Sequence, residues 1–164
     1  MTSTGYTPAT AAYTRYEPTQ TETVLARLCS RSRPQKTGAD LQALRQAGLA
    51  AAISRNPRPR IGIYTMVRAG QDPAVRLSVA RGLAVRNNWP VEQCPKVDFT
   101  GMTDPATRPQ LARLLDAVER GGIAGIAAMS RTDFTNLNDY YEDLLQQVHV
   151  RGGFLALATP ETDI

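Results

Sequence analysis

The chain has 164 residues, of which 42% are hydrophobic and 21% are charged, and its formal net charge is +4. This length suits one globular domain with an additional tail, and the lack of any run of about 18 apolar residues excludes a membrane-spanning segment. The two cysteines, Cys29 and Cys94, lie in different segments and match no metal-binding spacing. We therefore expect reduced thiols in a cytoplasmic protein, with no metal, no cofactor and no membrane partner.

The positive charge is concentrated near the N-terminus. Residues 1–59 contain eight Lys or Arg and three acidic residues, whereas residues 60–164 contain 11 basic and 12 acidic ones. Seven of the eight cations lie in residues 27–58, which we call the basic segment. A basic arm beside a nearly neutral domain favours binding to nucleic acid or another polyanion. Solubility without any such partner is the alternative interpretation.

The N-terminal third shows little sustained hydrophobic periodicity. We predict a basic extension over residues 1–58 that is partly disordered, with short helices at 21–29 and 39–54. The proline-containing stretch 56–59 is typical of a linker, so the extension is expected to end there and an α/β domain to occupy 59–164. We accordingly expect this domain to fold without the extension.

From Arg60 onward, β-type runs alternate with amphipathic helical stripes. We predict strands at 60–65, 91–98, 123–129 and 154–158, and helices at 73–88, 108–120 and 137–151. Asp72 before Pro73 indicates the start of the first of these helices, and Thr107 with Gln110 indicates a capping box for the second. The pattern predicts a three-layer α/β fold in which a largely parallel four-stranded sheet has helices on both faces.

Several short stretches of this region match one known family in residue type and order. They are Tyr64-Thr65-Met66-Val67-Arg68, the run from Ala84 to Val91, Asp98-Phe99-Thr100-Gly101, Arg108-Pro109-Gln110-Leu111-Ala112-Arg113-Leu114-Leu115, Ser130-Arg131-Thr132-Asp133-Phe134, and Thr159-Pro160-Glu161. On these stretches, residues 60–160 resemble the catalytic domain of the resolvase/invertase-type serine recombinases. The resemblance implies a resolvase-like fold.

The resemblance also implies a set of candidate site residues. In that family a serine attacks a DNA phosphodiester, and several arginines neutralise the charge that develops on the phosphate. Arg108 and Arg131 occupy the positions of two phosphate-binding arginines. Arg68 occupies the position of the nucleophile and has no hydroxyl group. Arg68, Arg108 and Arg131 are therefore our candidates for phosphate or DNA binding, and no catalytic residue is assigned.

The candidates also have interpretations without any function. Arg108 and Arg68 are then surface arginines, and Arg131 is an arginine paired with Asp133 or Asp104. At three further positions of the family site another residue type is present: Met66 and Phe134 stand in place of arginines, and Ser130 stands in place of an acid.

Three functions follow from this pattern. The first is a catalytically inactive recombinase-like protein with a DNA-associated or regulatory role in site-specific recombination or mobile-element biology. Such a protein binds DNA non-specifically through the basic segment. The second is a protein-interaction module that pairs with itself or with an active recombinase, without binding DNA. The third is an active strand-exchange enzyme with an unrecognised nucleophile. Thr65 is disfavoured for this role because it lies three residues out of register and faces the other side of the strand end.

Overall fold

The computed structural model describes residues 35–99 and 104–163. The strands in these ranges are β1 Ile61–Val67, β2 Lys96–Phe99, β3 Gly125–Ala128 and β4 Phe154–Leu157. The α-helices are α1 Gly38–Arg55, α2 Ala74–Arg86, α3 Pro109–Glu119 and α4 Asn138–Val150, and short 3-10 helices occupy Pro105–Thr107, Arg131–Asp133 and Glu161–Asp163. The helix that we predict at 21–29 lies outside the described residues.

The strands form one parallel sheet in the order β2-β1-β3-β4. Ile61 of β1 is paired with Gly125 of β3, and Gly125 is paired in turn with Phe154 of β4. Position 125 requires glycine because a Cβ atom there would lie 2.6 Å from the Phe154 ring. The strand order reverses between β1 and β3, and folds of this kind bind ligands at the carboxyl ends of the strands beside such a reversal.

Two hydrophobic cores cover the two faces of the sheet. Along β4, Leu155 and Leu157 pack with helices α3 and α4, whereas Phe154 and Ala156 pack with helix α2. This alternation follows from the period of two in a strand. The stripe that we predicted for α3 is buried, and its members are Leu111, Leu114, Leu115 and Val118. The predicted α/β architecture with a parallel four-stranded sheet is therefore confirmed.

Helix α1 covers one edge of this sheet. Leu41 near its start belongs to the core with α3 and α4, and Ala52 near its end belongs to the core with α2. Because β4 is an edge strand and α1 packs against it, the helix shields backbone groups that would otherwise be open to pairing. Thr37 and Asp40 form a capping box at its start, and the Thr37 hydrogen bonds lower the pKa of Asp40.

The position of α1 corrects the predicted domain boundary. The compact unit begins at Gln35 and not at residue 59. The proline-containing stretch 56–59 is a connection inside the unit, between α1 and β1. Local linker composition could not reveal this, because the need to cover β4 arises only when strands far apart in sequence have formed the sheet.

Strand β2 also differs from its prediction. We predicted a strand over 91–98, but the regular strand is Lys96–Phe99, and Val91 forms only an isolated bridge with Ile61. Pro95 lies between the two, and its ring nitrogen cannot donate to a strand ladder.

Candidate functional site

A buried carboxylate at the end of β2 holds the start of α3. Asp98 accepts hydrogen bonds from the backbone N–H groups of Gln110 and Leu111, each at 3.2 Å. The hydroxyl of Tyr64 donates to the same carboxylate at 3.1 Å. Burial raises the pKa of Tyr64, and the nearby Arg108 only partly opposes this, so the phenol stays protonated as a donor.

This arrangement replaces the capping box that we predicted from Thr107 and Gln110. The hydroxyl of Thr107 donates to the backbone carbonyl of Asp104, and the N-cap residue of α3 is Arg108, whose side chain makes no capping hydrogen bond. Asp98 satisfies the free N–H groups of the first turn from a neighbouring strand. The predicted capping box is therefore wrong, because a carboxylate brought in by the tertiary fold occupies its place.

Arg108, the first of the candidate arginines, is only 1% exposed. Its Nη1 atom donates to the backbone carbonyl of Asp133 at 3.2 Å and to that of Phe134. Carbonyls in a buried loop need such donors, since an unpaired buried acceptor is costly. Arg108 therefore connects the start of α3 to the loop that follows β3.

Arg131, the second candidate, contacts the same loop and is 8% exposed. Its Nε atom donates to the carbonyl of Thr135 at 3.3 Å, and its Nη2 atom donates to the carbonyl of Asn136 at 2.7 Å. Nη2 also donates to Oδ1 of Asn138 at 2.6 Å. The guanidinium carbon lies 5.3 Å from the centroid of the Tyr141 ring, within the range of a cation–π interaction.

Asp133 joins the ends of the two central strands. Its Oδ1 atom accepts from the Thr65 hydroxyl at 2.6 Å, from the Met66 N–H at 3.3 Å and from Nε of Arg76 at 2.8 Å. Its Oδ2 atom accepts from the Ser130 N–H at 3.0 Å. One carboxylate thus connects the end of β1, the first turn of α2 and the residues directly after β3.

Arg76 is a site residue that the sequence analysis missed. Besides its ion pair with Asp133, its Nη2 atom donates to the hydroxyls of Ser130 at 3.3 Å and Thr132 at 3.0 Å, and its side chain is 29% exposed. Arg76, and not Arg131, is therefore the partner of Asp133. One signal was available: a cation in the first turn of a helix opposes the helix dipole, which indicates a partner elsewhere in the fold.

Arg68, the third candidate, is exposed just after β1. Its backbone N–H donates to Oε1 of Gln71 at 3.1 Å, and no described residue forms a hydrogen bond or ion pair with its guanidinium. The structure therefore brings Arg108 and Arg131 together on the carbonyls of residues 133–136, whereas Arg68 stays free of that loop.

The described residues contain neither a metal-binding cluster nor a membrane-spanning helix. No group of three or more His, Cys, Asp or Glu side chains there could hold a metal ion. No helix in these ranges is both long enough and apolar enough to cross a bilayer. An apolar cavity of about 360 Å³ lies between α1, α4 and β4, and its lining includes Leu44, Leu145 and Phe154 but none of the three candidate arginines.

Two solved structures share the architecture described above. The C-terminal catalytic domain of ISC1926 TnpA, an IS607-like serine recombinase, aligns with a TM-score of 0.52 at 16% identity, over 63% of this chain and 72% of that one. The N-terminal catalytic domain of TP901-1 integrase aligns with a TM-score of 0.53 at 16% identity, over 60% of this chain and 76% of that one. No protein-family model and no curated protein sequence matches this chain. The chain therefore has the fold of serine recombinase catalytic domains, as its residue pattern predicted.

Proposed function

We propose that this chain is a recombinase-like protein that binds DNA without breaking it and has a regulatory role in site-specific recombination or in a mobile element. The observation that carries the proposal is the state of the hydroxyl groups at the end of β1. Arg68 has none, and the hydroxyl of Thr65 is buried and donates to Asp133 at 2.6 Å. Serine-type strand cleavage needs a hydroxyl that can approach the phosphorus atom in line.

The arginines support the same proposal. Stabilising the transition state of phosphoryl transfer requires guanidinium donors directed at the phosphate oxygens. Arg108 and Arg131 are buried, and each donates to two backbone carbonyls of the loop after β3. They would have to leave these carbonyls before they could contact a phosphate. In this arrangement the two arginines do not supply the donors that phosphoryl transfer requires.

DNA is the partner that the basic segment and the fold together favour. The resemblance to serine recombinases implies a DNA substrate, and contacts between arginines and phosphates give binding with little sequence preference and a steep salt dependence. Two cations of the basic segment already form ion pairs within the described residues. Arg45 is 7% exposed and pairs with Glu161, so it has no access to phosphates, and Lys36 pairs with Glu142.

The exposed cations of the described part of the segment are Arg55 and Arg58. The remaining three, Arg27, Arg31 and Arg33, lie outside the described residues. We propose that these five arginines carry the non-specific binding. Arg68 adds a local contact at the end of β1.

The affinity for a mixed-sequence duplex, measured over a range of salt concentrations, tests the DNA-binding part. Replacing Arg27, Arg31 and Arg33 together by Gln should reduce the slope of log K against log salt by up to about 3. The matched control replaces three exposed arginines outside the segment, Arg81, Arg86 and Arg120, and should change the slope much less. Equal losses in the two variants would contradict a role for the basic segment. Absence of binding even at low salt would favour the protein-interaction module.

The catalytic part is tested with supercoiled plasmid. The protein is incubated with the plasmid and quenched in denaturant, and the DNA is analysed for nicks and for covalently attached protein. We expect neither. A covalent adduct mapped to a serine or threonine would show that the protein is an active enzyme and would identify its nucleophile.

A further inference from the structure

Asn138 connects Arg131 to the chain that enters helix α1. Its Oδ1 atom accepts from Arg131 at 2.6 Å, and its Nδ2 atom donates to the backbone carbonyl of Lys36 at 2.7 Å. The Nζ atom of Lys36 also pairs with Glu142 at 2.9 Å. The orientation of the Asn138 amide, and with it one of the acceptors of Arg131, therefore depends on where Lys36 lies.

The aromatic support of Arg131 depends on α1 as well. The ring beneath the Arg131 guanidinium belongs to Tyr141, whose hydroxyl donates to Oε1 of Glu161 at 2.9 Å. Glu161 is held in turn by Arg45 of α1, through Nε at 2.6 Å and Nη2 at 3.1 Å. Asn138 is thus held by Lys36, which lies just before the capping box of α1. Tyr141 is held through Glu161 by Arg45 of α1.

Helix α1 has a smaller buried fraction than its neighbours α3 and α4, in which four of 11 and five of 13 residues are buried. Three of its 18 residues are buried, namely Leu41, Arg45 and Ala52. The apolar cavity of about 360 Å³ separates part of it from α4 and β4. Elements with few buried contacts open at lower free energy than the strands of a core. Release of α1 is therefore the opening that this part of the fold permits most readily.

We propose that α1 together with Lys36 is a latch on Arg131. While α1 is docked, Asn138 and Tyr141 hold the Arg131 guanidinium on the carbonyls of its own loop. When α1 is released, the guanidinium is freed to bind a phosphate group of nucleic acid. The identity of that ligand rests on the proposed function, whereas the mechanical coupling between α1 and Arg131 does not.

The coupling is tested in the full-length protein with Arg45→Gln, which breaks the ion pair with Glu161. The matched control is Arg55→Gln, which removes the same charge from the same helix but contacts only the exposed carbonyl of Gly152. Two measurements are made on each variant: hydrogen exchange of the α1 amides, and the rate at which phenylglyoxal labels each arginine. In Arg45→Gln we expect faster exchange in α1 and labelling of Arg131 accelerated several-fold, and in the control neither change.

Labelling of Arg108 serves as the internal control for unfolding, because this arginine is buried and must stay protected. If Arg45→Gln fails this control, the same measurements on Glu161→Gln decide, since this variant retains the size of the side chain and an acceptor for Tyr141. An unchanged labelling rate at Arg131 while α1 exchanges faster would overturn the latch. Unchanged exchange in α1 would overturn it as well, because the ion pair would then not hold the helix.

DNA affinity separates the latch from the proposed function. Arg45→Gln removes a positive charge, so electrostatics alone predicts equal or weaker binding. The latch predicts binding several-fold tighter at low salt, and this gain should disappear when Arg131→Gln is added. Faster labelling of Arg131 without tighter binding would leave the latch in place and contradict DNA as its ligand. Unchanged labelling in a protein that binds DNA would contradict the latch alone.

Discussion

Two buried carboxylates, Asp133 and Glu161, each pair with an arginine but join very different parts of the molecule. Asp133 links β1, α2 and the end of β3, at the point where the strand order reverses. Glu161 links α1 to α4 and to the turn after β4, at a covered edge of the sheet. The first cannot be released without separating the central strands, whereas the second can be released with one helix. The same chemistry therefore serves fold stability in one place and a movable contact in the other.

The largest effect is expected from Asp133→Ala. This change removes the acceptor of Arg76 and of the backbone N–H groups of Met66 and Ser130, all at the centre of the fold. Breaking a buried pair from one side costs about 3–5 kcal/mol. Urea denaturation measures the loss, and Asp143→Ala on the exposed side of α4 serves as the control without effect. A loss below about 1 kcal/mol would show that Asp133 does not hold the strand ends.

A smaller effect on stability is expected from breaking the Arg45–Glu161 pair, and an exposed ion pair serves as the comparison. In a double-mutant cycle with Arg45→Met and Glu161→Gln, the coupling energy should be about 2–3 kcal/mol, because each single variant leaves a buried group without its partner. The same cycle on Arg151 and Glu119, whose side chains are 30% and 63% exposed, should give less than about 1 kcal/mol. Equal coupling energies in the two cycles would contradict the claim that the buried Arg45–Glu161 pair holds α1 more strongly than a surface pair would.

The pH dependence sharpens the comparison further. Burial alone would raise the pKa of Glu161, but the hydrogen bonds and charge of Arg45 outweigh it, so the pKa lies below its ordinary value of 4.5. A lowered folded-state pKa contributes stability that is present above the ordinary value and is lost as the pH falls through the folded-state value. The groups that face Glu161 are Arg45 from α1 and Tyr141 from α4, with Arg131 on the far side of the tyrosine ring.

We therefore expect part of the stability of the protein to be lost with acid below about pH 4.5. Urea midpoints measured between about pH 3 and 6 should fall less steeply for Glu161→Gln than for the unmodified protein. Identical pH profiles for the two proteins would contradict a lowered pKa at Glu161.

The smallest effect is expected at Glu92, whose carboxylate is not fully hydrogen-bonded within the described part of the chain, unlike those of Asp133 and Glu161. The Oε2 atom of Glu92 is buried without a hydrogen-bond partner among the described residues. A buried acceptor left unsatisfied is unfavourable, so Glu92→Met should stabilise the protein by about 1 kcal/mol. A thermal midpoint at lower temperature in this variant would contradict the prediction, because it would show that the carboxylate stabilises the folded state.

The central sheet could be predicted because its signals are local. Most of the strands and helices after Arg60 follow from hydrophobic periodicity, and the Asp72 carboxylate accepts from the N–H of Ala74, the first residue of α2, at 2.8 Å. The place of α1 could not be predicted in this way. Its docking depends on Arg45 and Glu161, which lie 116 positions apart, and no local pattern joins them.

The site shows the same division between local and distant information. The family resemblance named Arg108 and Arg131 as candidates for phosphate binding, but their partners in the structure are mostly backbone carbonyls, which have no sequence signature. Arg76 was missed because its partner, Asp133, lies 57 positions away. The sequence therefore named only some of the arginines at the strand ends, and the fold determined which groups they bind.

The most direct test of the central claim restores the missing hydroxyl. In Arg68→Ser a serine occupies the position that the family resemblance assigns to the nucleophile, and the variant is incubated with supercoiled plasmid and quenched in denaturant. We expect no covalent protein–DNA adduct, because Arg108 and Arg131 remain bound to backbone carbonyls and Met66 supplies no guanidinium. An adduct mapped to Ser at position 68 would contradict this account, since it would show that the strand-end site is still organised for phosphoryl transfer and lacks only its nucleophile.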